Sequence, residues 1–146
     1  MLIGIPAILG PQLLFNLCAM GHGDEIAIVD GNYPADAHSA GKGGLIRADG
    51  HGIADILDAI LCVLPIDDDE AAIFHATVGG DGKTLAPVHT QIRRICARRH
   101  PGRAVAALTA ADFYPRVGRA HTIVATSELR LYANVILRKG VIAPVE

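Results

Sequence analysis

Gly21-His22-Gly23-Asp24-Glu25 sets an imidazole beside two carboxylates, directly ahead of the apolar run Ile26-Ala27-Ile28-Val29 and the aspartate that ends it, Asp30. Histidine is the side chain whose unperturbed pKa lies nearest neutral pH, so His22 between two glycines suits proton transfer. It equally suits a polar residue in a helix-capping turn. Asp24 is a second polar candidate in that turn, and Glu25 reads as a solvated charge. Asp30 stands where ligands of open α/β sheets bind, just past the carboxyl end of a strand, although a strand-end aspartate also starts turns. Far along the chain, Tyr132-Ala133-Asn134 precedes another apolar run. In an extended segment Tyr132 and Asn134 would project to one side. A phenol and a carboxamide together offer the donors and acceptors that a hydroxyl-rich ligand needs.

Other motifs carry less. Gly82-Lys83-Thr84 follows an apolar run, but a phosphate loop requires a glycine where Thr77 stands, and Pro87 places the helix start too late. Asp67-Asp68-Asp69-Glu70 lacks the glycine and distal glutamate of a calcium loop and reads as a solvated connection. The seven histidines form no His-x-x-x-His or His-x-His pair, so no metal site is expected.

The elements that must position these residues alternate. Helices are expected from Pro11 to about Gly21 (the glycine as cap), from Ile53 to Leu64, from Pro87 to Arg99, and from Ala110 to Arg119, where Pro115 and Gly118 weaken the pattern. Strands are expected at 26–29, 45–49, 72–78, 103–108, 121–126 and 134–137. Strands alternating with helices predict an α/β fold with a mostly parallel sheet, in a single domain over 1–146. The turn-rich stretch 31–44, with Asp36, His38, Gly41, Lys42, Gly43 and Gly44, is long enough to be a functional loop.

Thirteen basic residues balance 15 acidic ones, which argues against a nucleic-acid or membrane-surface protein. A chain 51% hydrophobic and only 4% aromatic implies an aliphatic core and apolar surface left for subunit contacts. Cys18, Cys62 and Cys96 lie apart within apolar helical patterns and are expected as buried, reduced thiols. With no signal-peptide pattern at the N-terminus and no apolar run of membrane-spanning length, a cytoplasmic location is expected.

Taken together, Gly21-His22-Gly23-Asp24-Glu25, the strand ending at Asp30, and Tyr132-Ala133-Asn134-Val135-Ile136-Leu137 ahead of Lys139-Gly140-Val141 resemble the fucose mutarotase and ribose pyranase family. Pro11-Gln12-Leu13-Leu14 and Ile46-Arg47-Ala48-Asp49-Gly50 resemble it too. The Gly-His-Gly-Asp-Glu and Arg-Ala-Asp-Gly segments are closer to the fucose branch, and Tyr-Ala-Asn to the ribose branch.

The resemblance implies a three-layer α/β/α domain that, without a cofactor, interconverts anomers, or pyranose and furanose forms, of a free monosaccharide such as L-fucose. It implies homo-oligomers, rings or decamer-like assemblies, with sites near subunit boundaries. It makes His22 the catalytic residue, and Asp30, Tyr132, Ala133 and Asn134 sugar ligands. The family carries an arginine or histidine where this chain has Ala110. Either Arg103 or Arg116 substitutes, or the preferred sugar differs, or the chain binds sugar without catalysing.

Overall fold

Period-two alternation decides the architecture. Strand β1, Glu25–Val29, is buried along its apolar length. Ile26 and Ile28 join one hydrophobic cluster, while Ala27 and Val29 join another on the opposite face. A strand buried on both faces needs helices on both sides, and the remaining chain supplies them.

In the computed structural model, which describes residues 1–39, 44–68 and 71–145, the other strands are β2 (Leu45–Ala48), β3 (Ile73–His75), β4 (Val105–Ala107), β5 (Thr122–Thr126) and β6 (Val135–Arg138). They form one six-stranded sheet in the order β2-β5-β1-β6-β3-β4. β1 and β2 run parallel to β5, β3 runs parallel to β4, and β6 lies antiparallel between β1 and β3. The mostly parallel, mixed sheet is the one expected.

Helices α1 (Pro11–Ala19), α3 (Ile53–Val63) and α4 (Pro87–Arg99) cover one face through Leu13, Leu17, Ile56, Ile60 and Ile92. Helices α2 (Ala35–His38) and α5 (Ala110–Arg119) cover the other through Ala35, Phe113 and Val117. The result is three layers. Proline inside α5 costs about 3 kcal/mol in a helix interior. Burying Phe113 and Val117 offsets this at about 1.5–3 kcal/mol each, and Thr109 caps the helix by accepting the Asp112 amide at 3.2 Å. That is why the helix runs through Pro115.

Several expectations need correction. α1 ends on Met20 in an extended conformation, and the left-handed glycine of the following turn is Gly23 rather than the expected cap, Gly21. Cys18 and Cys62 are exposed, and only Cys96 is buried, because the first two fall on the outer sides of their helices. Burial pushes the Cys96 thiol up to about 12. The stretch 31–44 contains α2, while Gly41, Lys42 and Gly43 lie outside the described residues, as do Asp69 and Glu70 of the acidic run. β3 is shorter than expected because Val78–Gly80 turns into a 3₁₀ helix with Gly79 and Gly80 left-handed. Among the described residues no helix is long and apolar enough to cross a membrane.

Candidate active site

At the carboxyl end of β1, Asp30 and Asn134 hold each other. The Asp30 amide donates to Asn134 Oδ1 at 2.8 Å, and Asn134 Nδ2 returns a bond to Asp30 Oδ2 at 3.1 Å. The Asn32 amide reaches Asp30 Oδ1 at 3.0 Å. Both side chains are buried, so each polar atom must be matched within the protein or by a ligand.

A cavity of about 130 Å³ opens beside this pair, lined by Asn134 and Tyr132, by Ala76 and Thr77 after β3, and by Ala110, Phe113 and Tyr114 of α5. Tyr132 is left-handed at φ 61°, the one non-glycine residue with positive φ among those described. Asn134 and Tyr132 therefore meet at the cavity through a bent backbone. The extended alternation expected for them is not what brings them together. Ala133 is wholly buried between them.

Around the rim, Tyr33 stacks on Tyr114 with centroids 5.6 Å apart, and its hydroxyl bonds His38 Nδ1 at 2.8 Å. Burial, then the neighbouring Tyr114 and Asp30, push the Tyr33 phenol well above its ordinary range. It stays a hydroxyl. The Gly79-Gly80 turn packs against α5 so closely that a Cβ on Gly80 would lie 2.5 Å from that of Ala110. Asp81 accepts the amides of Lys83 and Thr84 at 2.8 and 2.7 Å, so the Gly-Lys-Thr segment spends its donors on its own turn rather than on a phosphate.

His22 lies at the other end of β1. Its Nε2 is 3.4 Å from Asp67 Oδ2, and Arg138 Nε is 3.0 Å from the same oxygen. His22 is half exposed, whereas Asp67 is buried. The turn carrying His22 is tied down on both sides. Asp24 Oδ2 accepts the Gly21 amide at 2.7 Å, the Gly23 amide donates to the Lys139 carbonyl at 2.9 Å, and Lys139 Nζ reaches the Leu17 and Met20 carbonyls. A carboxylate fixed against one ring nitrogen orients an imidazole for proton transfer at a set place.

The residues singled out in the sequence therefore gather at two ends, not one. Asp30, Tyr132, Ala133 and Asn134 share the cavity end. His22 and Asp24 share the other, separated by a strand that spans about 17 Å. Arg116 does not reach the cavity. It pairs with Glu25 at 2.9 Å and stands 3.8 Å over the Phe74 ring, which also makes Glu25 a partnered charge and not a solvated one. Arg103 faces Asp68 at 3.8 Å. Neither arginine lines the cavity beside Ala110, and that lining contains no basic side chain among the described residues.

Asp67 is the functional candidate that sequence reasoning missed. The sequence places it in an acidic run expected to be solvated, but an isolated bridge pairs Ile66 with Lys139 and draws Asp67 under the sheet end. The only local signal was Pro65-Ile66, an apolar approach to that run. Among the described residues no group of three His, Cys, Asp or Glu side chains could hold a metal ion.

Comparisons with known proteins agree along the whole fold. The sequence profile of the RbsD / FucU transport protein family matches residues 3–142. The fucose mutarotase of Homo sapiens is 42% identical over 144 residues, covering 96% of this chain and 94% of its own. That of Bos taurus is 43% identical over 145 residues, covering 97% and 94%. The crystal structure of the fucose mutarotase of Streptococcus pneumoniae, in complex with L-fucose, superposes with a TM-score of 0.86. Its sequence identity is 38%, and coverage is 97% of this chain and 100% of that one.

Proposed function

This chain belongs to the RbsD / FucU family, and we propose that it is a mutarotase interconverting the anomers of a free monosaccharide of the L-fucose type. The observation that carries the reading is the reciprocal Asp30–Asn134 pair, whose Asn134 walls a cavity together with Tyr132. Carboxylate, carboxamide and phenol match the alternating donors and acceptors of sugar hydroxyls.

Anomer exchange opens a hemiacetal. The anomeric hydroxyl loses its proton, the bond from C1 to the ring oxygen breaks with its electron pair going to that oxygen, and the oxygen gains a proton. The aldehyde turns about its bond to C2 and closes on the opposite face. Asp30, Tyr132 and Asn134 hold the hydroxyls, and the backbone around Ala133 shapes the wall, so the reacting carbon is fixed in place. His22, oriented by Asp67, performs a proton transfer. Because His22 and Asp30 stand at opposite ends of one strand, a second copy of the chain brings its His22 turn to the cavity mouth. The active form is thus a homo-oligomer, and each chain contributes one domain. Asp24 shapes the His22 turn and does not touch the sugar. The protein works in the cytoplasm, where reduced thiols such as the exposed Cys18 and Cys62 persist.

Magnetization-exchange NMR between the anomers of L-fucose tests this. Acceleration by the protein, abolished in His22→Ala, is expected; full exchange in that variant would overturn it. The absence of a basic side chain at Ala110 favours a second reading, a different sugar such as D-ribose or binding without catalysis. Exchange of ribose pyranose and furanose forms, or calorimetric binding with no exchange, separates those outcomes.

A further inference from the structure

Two buried imidazoles lie behind the cavity, and no role so far accounts for them. His89, in the first turn of α4, and His75, at the end of β3, stack with centroids 4.8 Å apart and planes 17° from parallel. Both are fully buried. The surrounding donors dictate where each ring carries its hydrogen. His89 Nδ1 accepts the Ala86 amide at 2.8 Å, so the hydrogen is on Nε2, which donates to the Tyr132 carbonyl at 2.9 Å. His75 Nε2 accepts Arg93 Nε–H at 2.9 Å, so Nδ1 carries the hydrogen and donates to the Ala76 carbonyl at 2.7 Å. Each ring thus holds the backbone of a residue that lines the cavity. The Ala76 amide in turn donates to the Asn134 carbonyl at 3.0 Å, which joins the two segments.

Tyr132 needs such a hold. A non-glycine residue at φ 61° is in a conformation that L side chains disfavour, and it persists only where its surroundings over-determine it. The His89 bond is the one long-range contact to that carbonyl among the described residues, and it comes from a rigid 13-residue helix. We infer that His89 is a positioning residue for the sugar site: through the Tyr132 carbonyl it keeps Tyr132 left-handed and its phenol in the cavity wall, with His75 and Arg93 locking the ring. This deepens the mutarotase reading and rests on it.

The test compares sugar anomer exchange in wild type, His89→Leu and His89→Gln, with melting curves on each. Glutamine can accept the Ala86 amide and donate to the Tyr132 carbonyl; leucine can do neither. Losing one buried bond and stranding its carbonyl predicts a KM raised roughly tenfold in His89→Leu, with kcat changed less and most of the loss recovered in His89→Gln. A folded His89→Leu protein with wild-type KM overturns the inference, as does a folded His89→Gln protein no better than the leucine variant. If His89→Leu does not fold, nitrogen-15 NMR of the wild-type rings decides. An Nε2–H tautomer near neutral pH whose hydrogen resonance moves on adding L-fucose supports the inference, and an Nδ1–H tautomer or a resonance blind to the sugar overturns it. A wild type that exchanges no sugar would instead fail the mutarotase reading, so the two failures are distinguishable.

Discussion

Asp30 and Asn134, 104 positions apart in the chain, each satisfy the other: the backbone of one and the side chains of both close a two-bond ring at the end of β1. β6 makes this possible. It lies antiparallel against β1, with Ile28 opposite Val135, so Asn134 at the entry to β6 falls one residue short of Asp30, within reach of its amide and carboxylate.

Asn134→Ala therefore strands a buried amide and removes a partner from a buried carboxylate. Equilibrium urea unfolding is expected to lose about 1–3 kcal/mol, and anomer exchange to fall to background. A variant of wild-type stability and activity would mean that the pair is incidental.

The placement of His22 and Asp30 at opposite ends of β1 makes a second prediction. His22→Ala and Asp30→Ala are each expected to be inactive. Mixed after dissociation and reassembled, they should regain about one quarter of the wild-type rate, since random pairing rebuilds that share of composite sites in a symmetric assembly. Recovery of nothing, with both chains shown in one oligomer, would place His22 and Asp30 in the same chain's site.

Much of the fold was legible because its signals are local. The apolar run at 26–29, helical spacing at 53–64 and proline at the start of the α4 pattern need no tertiary knowledge. The candidate site was legible residue by residue but not in its assembly. Nothing local says that Asp67 is drawn beneath β6 while Asp68 beside it stays exposed. That follows from the bridge between Ile66 and Lys139 and from Gly140, where a Cβ would come 2.7 Å from the Ile66 carbonyl. The left-handed Tyr132 was hidden for the same reason, since the residue type disfavours the conformation that His89 imposes.

His75 makes stability depend on pH. Burial, and then the charges that His89 or Arg93 of α4 would place against it, hold its imidazole below the usual histidine range, despite the Ala76 carbonyl on its other nitrogen. The unfolded chain takes up a proton near 6.5, whereas the folded chain does so only at lower pH. Between those values the unfolded state binds more protons, so this contribution is complete above 6.5 and is lost as pH falls through the folded value. Urea midpoints measured from neutral pH down to about pH 5 should fall, and fall less in His75→Met. Identical slopes in the two proteins would assign the dependence to other groups.

Ala110 offers the sharpest test of the cavity itself. Its side chain sits at the first position of α5, only partly buried, between the Gly79-Gly80 turn and the space beside Asn134. Nothing bonds to it, but the Gly79-Gly80 turn packs closely on it, so a larger side chain there is expected to cost about 1–3 kcal/mol of stability. Ala110→Phe places a ring in a space of about 130 Å³. If the sugar is bound by Asp30, Tyr132 and Asn134 within that space, Ala110→Phe should abolish calorimetric binding of L-fucose in a protein that still unfolds in one cooperative transition, at a somewhat lower melting temperature. Ala110→Ser, similar in volume, should bind as wild type does. Full binding in a well-folded Ala110→Phe protein would put the sugar elsewhere, and the half-exposed His22 with Asp67 would then be the place to look for it.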